Sequence, residues 1–501
     1  MKTEAPNGDD DEPSLDPADW EAFRAIAHRM LDLAIDHVQS AKDRPVWKPV
    51  PAAVKQGLAE APPLEAQGTD RVCEDLLKFV LPYSAGNIHP RFFGWVNGAG
   101  TPGGIVADMM TSAINANVGG REQSANYVEQ TVIGWFRDIF GLPQSTSGLV
   151  VTGTSMATLT ALVVARFRHA GEEVRQRGVG DETGVLTAYT SSEAHGSIAK
   201  AFDIIGLGRD SLREIAVDED FRIDVEALER QIAEDRQKGF QPFCVIGTAG
   251  SVNTGAIDDL GAIADICEKH DLWFHVDGAF GAVAILSDEL RHCLTGMERA
   301  DSIAFDFHKW MHVSYDAGMI LVRDGDLHLR ALTLRPDYLA ASDRGLAAGN
   351  PWFCEYGPEQ SRGFRALKVW FTLKEHGLTR IGRMVEENCR QARYLSRLID
   401  RHERLTLLAP VPLNIVCFRY FDSSLTEAEL DELNSEIVMD LHEQGIAAPS
   451  MTRIDGARAI RVSIVNHRTQ LSDLDALVEA VSATAEALLP HRRRLDAVLD
   501  N

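Results

Sequence analysis

Cysteine is scarce. The 501 residues hold seven, at positions 73, 244, 267, 293, 354, 389 and 417, an odd number with no Cys-x-x-Cys pair. That spacing argues against a disulfide framework or a zinc site and favours a reducing compartment, with each thiol serving as small buried filler. Long apolar runs are also missing, so no stretch is long enough to span a bilayer. The N-terminus lacks the basic-then-apolar layout of a signal peptide. A cytoplasmic location is therefore expected. Basic residues are outnumbered: 50 Lys and Arg against 74 Asp and Glu give a net charge of −24. Nucleic acid and anionic membrane are poor partners for such a surface. Part of the excess lies in Asp9-Asp10-Asp11-Glu12 and Asp16, which read as a solvated tail.

What is present is ordinary for a globular protein, with 45% hydrophobic and 25% charged residues. The length allows a large core and more than one domain. After Asp19, residues Phe23, Ile26, Met30, Leu31, Ala34 and Val38 recur at helical spacing, a face to be packed against another chain or domain. Arg44 to Pro63 is proline-rich and reads as an extended connector, with the helix ending by Asp43. From His89 to about Glu375, short Val- and Ile-rich runs alternate with amphipathic stretches. Leu149–Val151 leads into a helix from Met156 to Arg168, Val185–Tyr189 into one near Ser197, and Phe243–Ile246 into Leu260–His270. This is the pattern of an α/β fold with a mostly parallel sheet, whose sites cluster at the carboxyl ends of strands. Beyond Thr379 a long helix precedes strands at Leu405–Leu407, Ile415–Phe418 and Ala459–Ile464, with helices through Ile437 and from Leu471. The expected division is 1–88 (tail, helix and connector), 89–378 (α/β domain) and 379–501 (a small α+β domain).

The most informative stretch is Asp306-Phe307-His308-Lys309-Trp310, just after the apolar run Ser302–Phe305. A second run, Leu272–Val276, ends in Asp277. An amine among apolar neighbours loses its proton more readily and becomes a nucleophile able to hold an aldehyde as a Schiff base. A carboxylate at a strand tip can pair with a pyridinium nitrogen and keep it protonated. Together they point to pyridoxal 5'-phosphate. The plain alternatives are a snorkelling surface lysine and a turn cap by Asp277. Gly153-Thr154-Ser155, between a strand and a helix, offers hydroxyls and free N–H groups to a phosphate, or a simple cap by Ser155. His195 follows a strand and suits either stacking on a flat ring or a satisfied loop position.

At these residues the chain resembles the group II pyridoxal-phosphate-dependent amino acid decarboxylases, which include aromatic-L-amino-acid and glutamate decarboxylases. The resemblance rests on His89-Pro90-Arg91-Phe92-Phe93, Thr111–Asn117, His275-Val276-Asp277, His308-Lys309-Trp310 and Phe364–Lys368. It implies an aminotransferase-like fold of type I and a homodimer with active sites at the subunit interface. It makes Lys309 the Schiff-base lysine, Asp277 the partner of the ring nitrogen, and His195 and Ala279 the residues on the two ring faces. Thr154, Ser155 and His308 fall where the family holds the phosphate.

Departures from the family concern the substrate. Relatives acting on aromatic amino acids carry Tyr-Phe-Pro-Thr where this chain has Trp95-Val96-Asn97-Gly98, and Val252 stands where they have a threonine. In the loop before Phe364, the position of the family's proton-donating tyrosine counts back to Phe353, with Tyr356 three residues later. Trp95, Asn97 and Phe353 are thus candidate pocket residues, and Tyr356 is the candidate proton donor. The expected reaction is decarboxylation of an aromatic L-amino acid to the amine. The alternatives are an aldehyde synthase, a decarboxylase of an acidic amino acid with Arg121 or Arg91 as anion partner, and a decayed relative acting as a binding protein.

Overall fold

The structure, a computed structural model, describes residues 14–180, 184–334 and 342–499; the acidic run Asp9–Glu12 lies outside them. The chain divides into two compact units. One takes the residues up to Ala41 together with Pro49–Ser84; the other takes Lys42–Lys48 and everything from Ala85 onward.

In the smaller unit the expected helix runs Trp20–Gln39, and the Asp19 carboxylate accepts the amides of Glu21 and Ala22. None of its residues is buried within the unit, and Trp20, Phe23 and Ile35 are exposed. Arg29 reaches Asp70 at 2.8 Å. The extended connector is a correction. Pro51 starts a helix at Ala52–Leu58, and Thr69–Asp75 forms another. Proline is compatible with a helix start, where its missing N–H costs nothing, so a proline-rich stretch need not be extended.

The larger unit carries the strands. Among the described residues they are β1 (Phe92–Phe93), β2 (Ser147–Val151), β3 (Leu186–Ser191), β4 (Leu212–Ile215), β5 (Gln241–Thr248), β6 (Trp273–Asp277), β7 (Ser302–Asp306), β8 (Gly318–Val322), β9 (Leu405–Leu407), β10 (Ile415–Tyr420), β11 (Ala448–Ile454) and β12 (Ala457–Ser463). A seven-stranded sheet has the order β2-β8-β7-β6-β5-β3-β4. It is mostly parallel, as expected, with β8 running antiparallel between β2 and β7. Strands β6 and β7 are buried along their whole length, which is why they read as unbroken apolar runs rather than alternating ones. The helices Thr154–Ala170 and Leu260–His270 begin and end close to their predicted limits. A second sheet, β1-β11-β12-β10-β9, packs with the helices Leu378–Asp400 and Glu427–Glu443 around its own core. Strand β11 escaped the sequence reading because its exposed Met451 and polar Thr452-Arg453 break any apolar alternation.

The core fixes the end of β7. Phe305 and Phe307 each pack their rings 5.0 Å from Phe136, and Trp310 is fully buried with its indole N–H on Asn388 Oδ1 at 2.9 Å. These anchors flank His308 and Lys309, so the turn between them has little freedom.

Candidate active site

Lys309 lies three residues past β7. Its amine makes a 2.8 Å ion pair with Asp306 Oδ2, and the side chain is largely covered. The other Asp306 oxygen accepts the Thr154 amide at 2.7 Å. One buried carboxylate therefore joins the lysine to the start of the helix Thr154–Ala170. Asp306 was missed by the sequence reading, although it ends a buried strand just as Asp277 does.

Around this carboxylate the backbone is crowded. A Cβ on Gly318 would lie 2.6 Å from Asp306 Oδ1 and from Gly153 Cα, and one on Gly153 would meet His308 Cε1 at 3.3 Å. Glycine at both positions lets the two loops close on each other. The helix that follows has no side-chain cap, and the Thr154 hydroxyl is buried without a hydrogen-bond partner. An unsatisfied hydroxyl at an uncapped helix N-terminus fits a phosphate group. Ser155 is exposed beside it. His308 Nδ1 accepts the Ala317 amide at 3.1 Å, which leaves the proton on Nε2, 3.7 Å from Asp306. Burial holds this imidazole below its usual pKa, with Asp306 opposing.

Asp277 ends β6 and is buried, its Oδ1 accepting the Ala279 amide at 3.1 Å. Burial pushes its carboxyl above the ordinary range; Lys309, the Ala279 amide and His195 pull it back. Asp277 is thus within electrostatic reach of both Lys309 and His195. Ala279 bridges two strand ends, its carbonyl accepting the Asp306 amide at 3.0 Å. His195 is exposed, and its Nδ1 takes the Ser197 amide at 3.2 Å and faces the Ser197 hydroxyl at 2.7 Å. The ring is thus held at the start of the helix Ser197–Ile204 and lies within electrostatic reach of Asp277.

The pocket candidates divide. Trp95 is exposed, with φ +51°, and its carbonyl accepts Arg461 Nη1 at 3.0 Å. Asn97 accepts the Tyr315 hydroxyl at 3.1 Å. Phe353 is buried in the core, its ring 5.4 Å from the Arg362 guanidinium. Tyr356 is packed against His328, ring to ring at 5.1 Å, and its carbonyl accepts His328 Nε2 at 2.8 Å. His328 in turn contacts Ser147, at the end of β2 away from Thr154. Within one chain, then, Tyr356 is not brought to Lys309. The Arg121 guanidinium lies 4.8 Å from the Trp352 ring. Tyr315 and Arg461 carried no local signal in the sequence, since their partners lie 218 and 366 residues away.

Comparison with known proteins identifies the fold and the family. The model of the pyridoxal-dependent decarboxylase conserved domain matches residues 51–421. An aromatic-L-amino-acid decarboxylase of Bacillus atrophaeus is 33% identical over 93% of this chain and 96% of its own length. A phenylacetaldehyde synthase of Petunia hybrida is 26% identical over 95% of this chain and 96% of its own. Among solved structures, Oryza sativa TDC with PLP and tryptamine superposes with a TM-score of 0.87, at 25% identity over 95% of this chain and all of that one. The chain belongs to the pyridoxal-dependent decarboxylase family and is a carboxy-lyase that uses pyridoxal phosphate to decarboxylate an amino acid.

Proposed function

We propose that this enzyme takes an aromatic L-amino acid and releases the amine and carbon dioxide. The observation that carries the reading is the convergence of Lys309, Asp306, Asp277 and the unpartnered Thr154 hydroxyl at the carboxyl ends of β6 and β7. Bound there, the cofactor's ring supplies an electron sink for the bond being broken. Lys309 is the amine that tethers the cofactor's aldehyde carbon, with Asp306 orienting it. Asp277 holds a proton on the ring nitrogen, and His195 and Ala279 cover the ring faces. Thr154, Ser155 and His308 take the phosphate. Trp95, exposed three residues before Gly98, is the residue proposed to meet a flat substrate side chain.

Residues 89–378 are proposed as the cofactor domain and 379–501 as the small domain. A homodimer is favoured by the uncovered apolar side chains of the helix Trp20–Gln39. A cytoplasmic location is favoured by the cysteines, none of which is in a disulfide; among the described residues no helix is long and apolar enough to cross a membrane.

The second reading is an aldehyde synthase, in which oxygen and water convert the amino acid to aldehyde, carbon dioxide, ammonia and hydrogen peroxide. The separation of Tyr356 from Lys309 within one chain favours it, because an unprotonated carbanion is open to oxygen. Amine remains the proposed main product, with Tyr356 brought over the ring by loop movement or by a second copy of the chain. The deciding experiment incubates the holoenzyme with each common L-amino acid and measures carbon dioxide, organic product and oxygen uptake together. Carbon dioxide with amine and no oxygen uptake supports the proposal; equimolar oxygen uptake replaces it with the second reading.

A further inference from the structure

We propose that Tyr315 and Asn97 are the specificity-determining pair of this pocket and that they recognise a hydrogen-bonding group on the rim of the substrate ring. The inference rests on the aromatic-decarboxylase reading above.

Tyr315 lies in the same β7–β8 connection as Lys309, and its ring stands 4.2 Å from the His308 ring, tilted by 33°. Its hydroxyl donates to Asn97 Oδ1 at 3.1 Å. Asn97 is held in turn by its neighbour. A Cβ on Gly98 would lie 2.2 Å from the His308 carbonyl oxygen and 2.3 Å from that of Lys309, so Gly98 is seated directly on the lysine turn. Any other residue at position 98 would lift Asn97 away from it.

The pair is braced from behind. Lys368 Nζ donates to the Tyr315 carbonyl at 2.8 Å, and Arg365 pairs with Asp316 at 3.0 Å. The residue is therefore fixed at its backbone while 46% of its surface remains exposed. The aromatic face of Tyr315 beside the lysine turn suits a flat ring. The Asn97 side-chain N–H group has no hydrogen-bond partner among the described residues, which leaves a donor free for a ligand. Burial, with Asp306, pushes the Tyr315 phenol up to about 12, so it stays neutral at working pH. The pair thus offers neutral hydrogen bonds and no charge. A site of this kind penalises a ligand that lacks the matching group, because its polar atoms are then left unpaired.

The test compares ligands differing by one hydroxyl. Calorimetry on the holoenzyme with 3-(4-hydroxyphenyl)propanoate and 3-phenylpropanoate, which have no amine to react, reads the pair without turnover. The hydroxylated acid is expected to bind about tenfold more tightly, one hydrogen bond's worth. Tyr315→Phe and Asn97→Ala are each expected to bring that ratio near one. In turnover, the kcat/KM ratio of L-tyrosine to L-phenylalanine falls in parallel. Equal binding of the two acids by the wild type, binding of neither, or an unchanged ratio in both variants overturns the proposal. Absence of carbon dioxide release from every aromatic amino acid, with the binding ratio intact, instead overturns the aromatic-substrate reading and leaves the pair standing.

Discussion

Strand β2 is an edge of the main sheet, and its outer side is closed by a buried ion pair in place of another strand. Glu129 Oε1 accepts the Val150 amide at 2.9 Å, while Arg362 Nη2 donates to the Val150 carbonyl. Arg362 and Glu129 pair at 2.7 Å, with side chains 1% and 0% exposed, and Arg362 Nη1 also reaches the Val118 carbonyl at 2.9 Å. The two side chains thus act as a surrogate neighbour for an edge that would otherwise be unsatisfied. Glu129→Gln keeps the shape but leaves a guanidinium buried without a counter-charge, a loss of about 3–5 kcal/mol. Arg362→Met likewise leaves a buried carboxylate without its counter-charge, at a comparable cost. The double variant removes both charges. It should cost about 1–2 kcal/mol, far less than the sum of the two. Hydrogen exchange of the peptide covering residues 147–151 measures the opening free energy of this strand directly. Val150 lies four residues before Thr154, so Glu129→Gln should also weaken cofactor binding, by about tenfold for a shift worth one hydrogen bond. Single variants each within 1 kcal/mol of the wild type, or a double variant as costly as the sum, would refute the argument.

Lys309→Ala should end both turnover and covalent tethering: borohydride treatment, which fixes the cofactor on the wild-type chain, should leave no cofactor mass on the peptide spanning position 309. Asp277→Asn should retain cofactor but lower kcat by about 2–4 kcal/mol in barrier, read by steady-state kinetics; a near-normal rate removes Asp277 from the proposed role. Tyr356→Phe should shift product from amine toward aldehyde, measured by chromatography with an oxygen electrode, and no change in product excludes it as the donor. Burial lowers the imidazoles of His275 to about 3 and of His328 and His467 to about 4. These groups stay neutral in the folded chain while the unfolded chain protonates them below about 6.5. Stability should therefore be full above that pH and fall toward pH 4, by up to about 1.4 kcal/mol per pH unit for each. Asp258, pushed up to about 6 by burial, works in the opposite sense. A urea midpoint that is flat from pH 7 to 4.5 contradicts this balance.

Local chemistry was enough to place the parts. Leu272–Val276 and Ser302–Phe305 are buried on both faces, so each appears as an unbroken apolar run wherever its neighbours lie. Asp277 and Lys309 stand out because charged residues at the ends of such runs need a reason to be there. Gly153-Thr154-Ser155 is legible because a strand-to-helix turn is a local event. The sequence by itself thus determined the α/β alternation and pointed to the residues proposed for the cofactor site.

The tertiary structure alone decided the rest. It inserted β8 antiparallel between β2 and β7, made Asp306 the link between Lys309 and Thr154, set Tyr315 against Asn97, and carried Tyr356 to the far end of β2. The physical reason is common to all four. A hydrogen bond such as Tyr315 to Asn97, between residues 218 positions apart, leaves no periodicity in the chain; it exists only because packing of the two cores brings distant loops to one edge of a sheet.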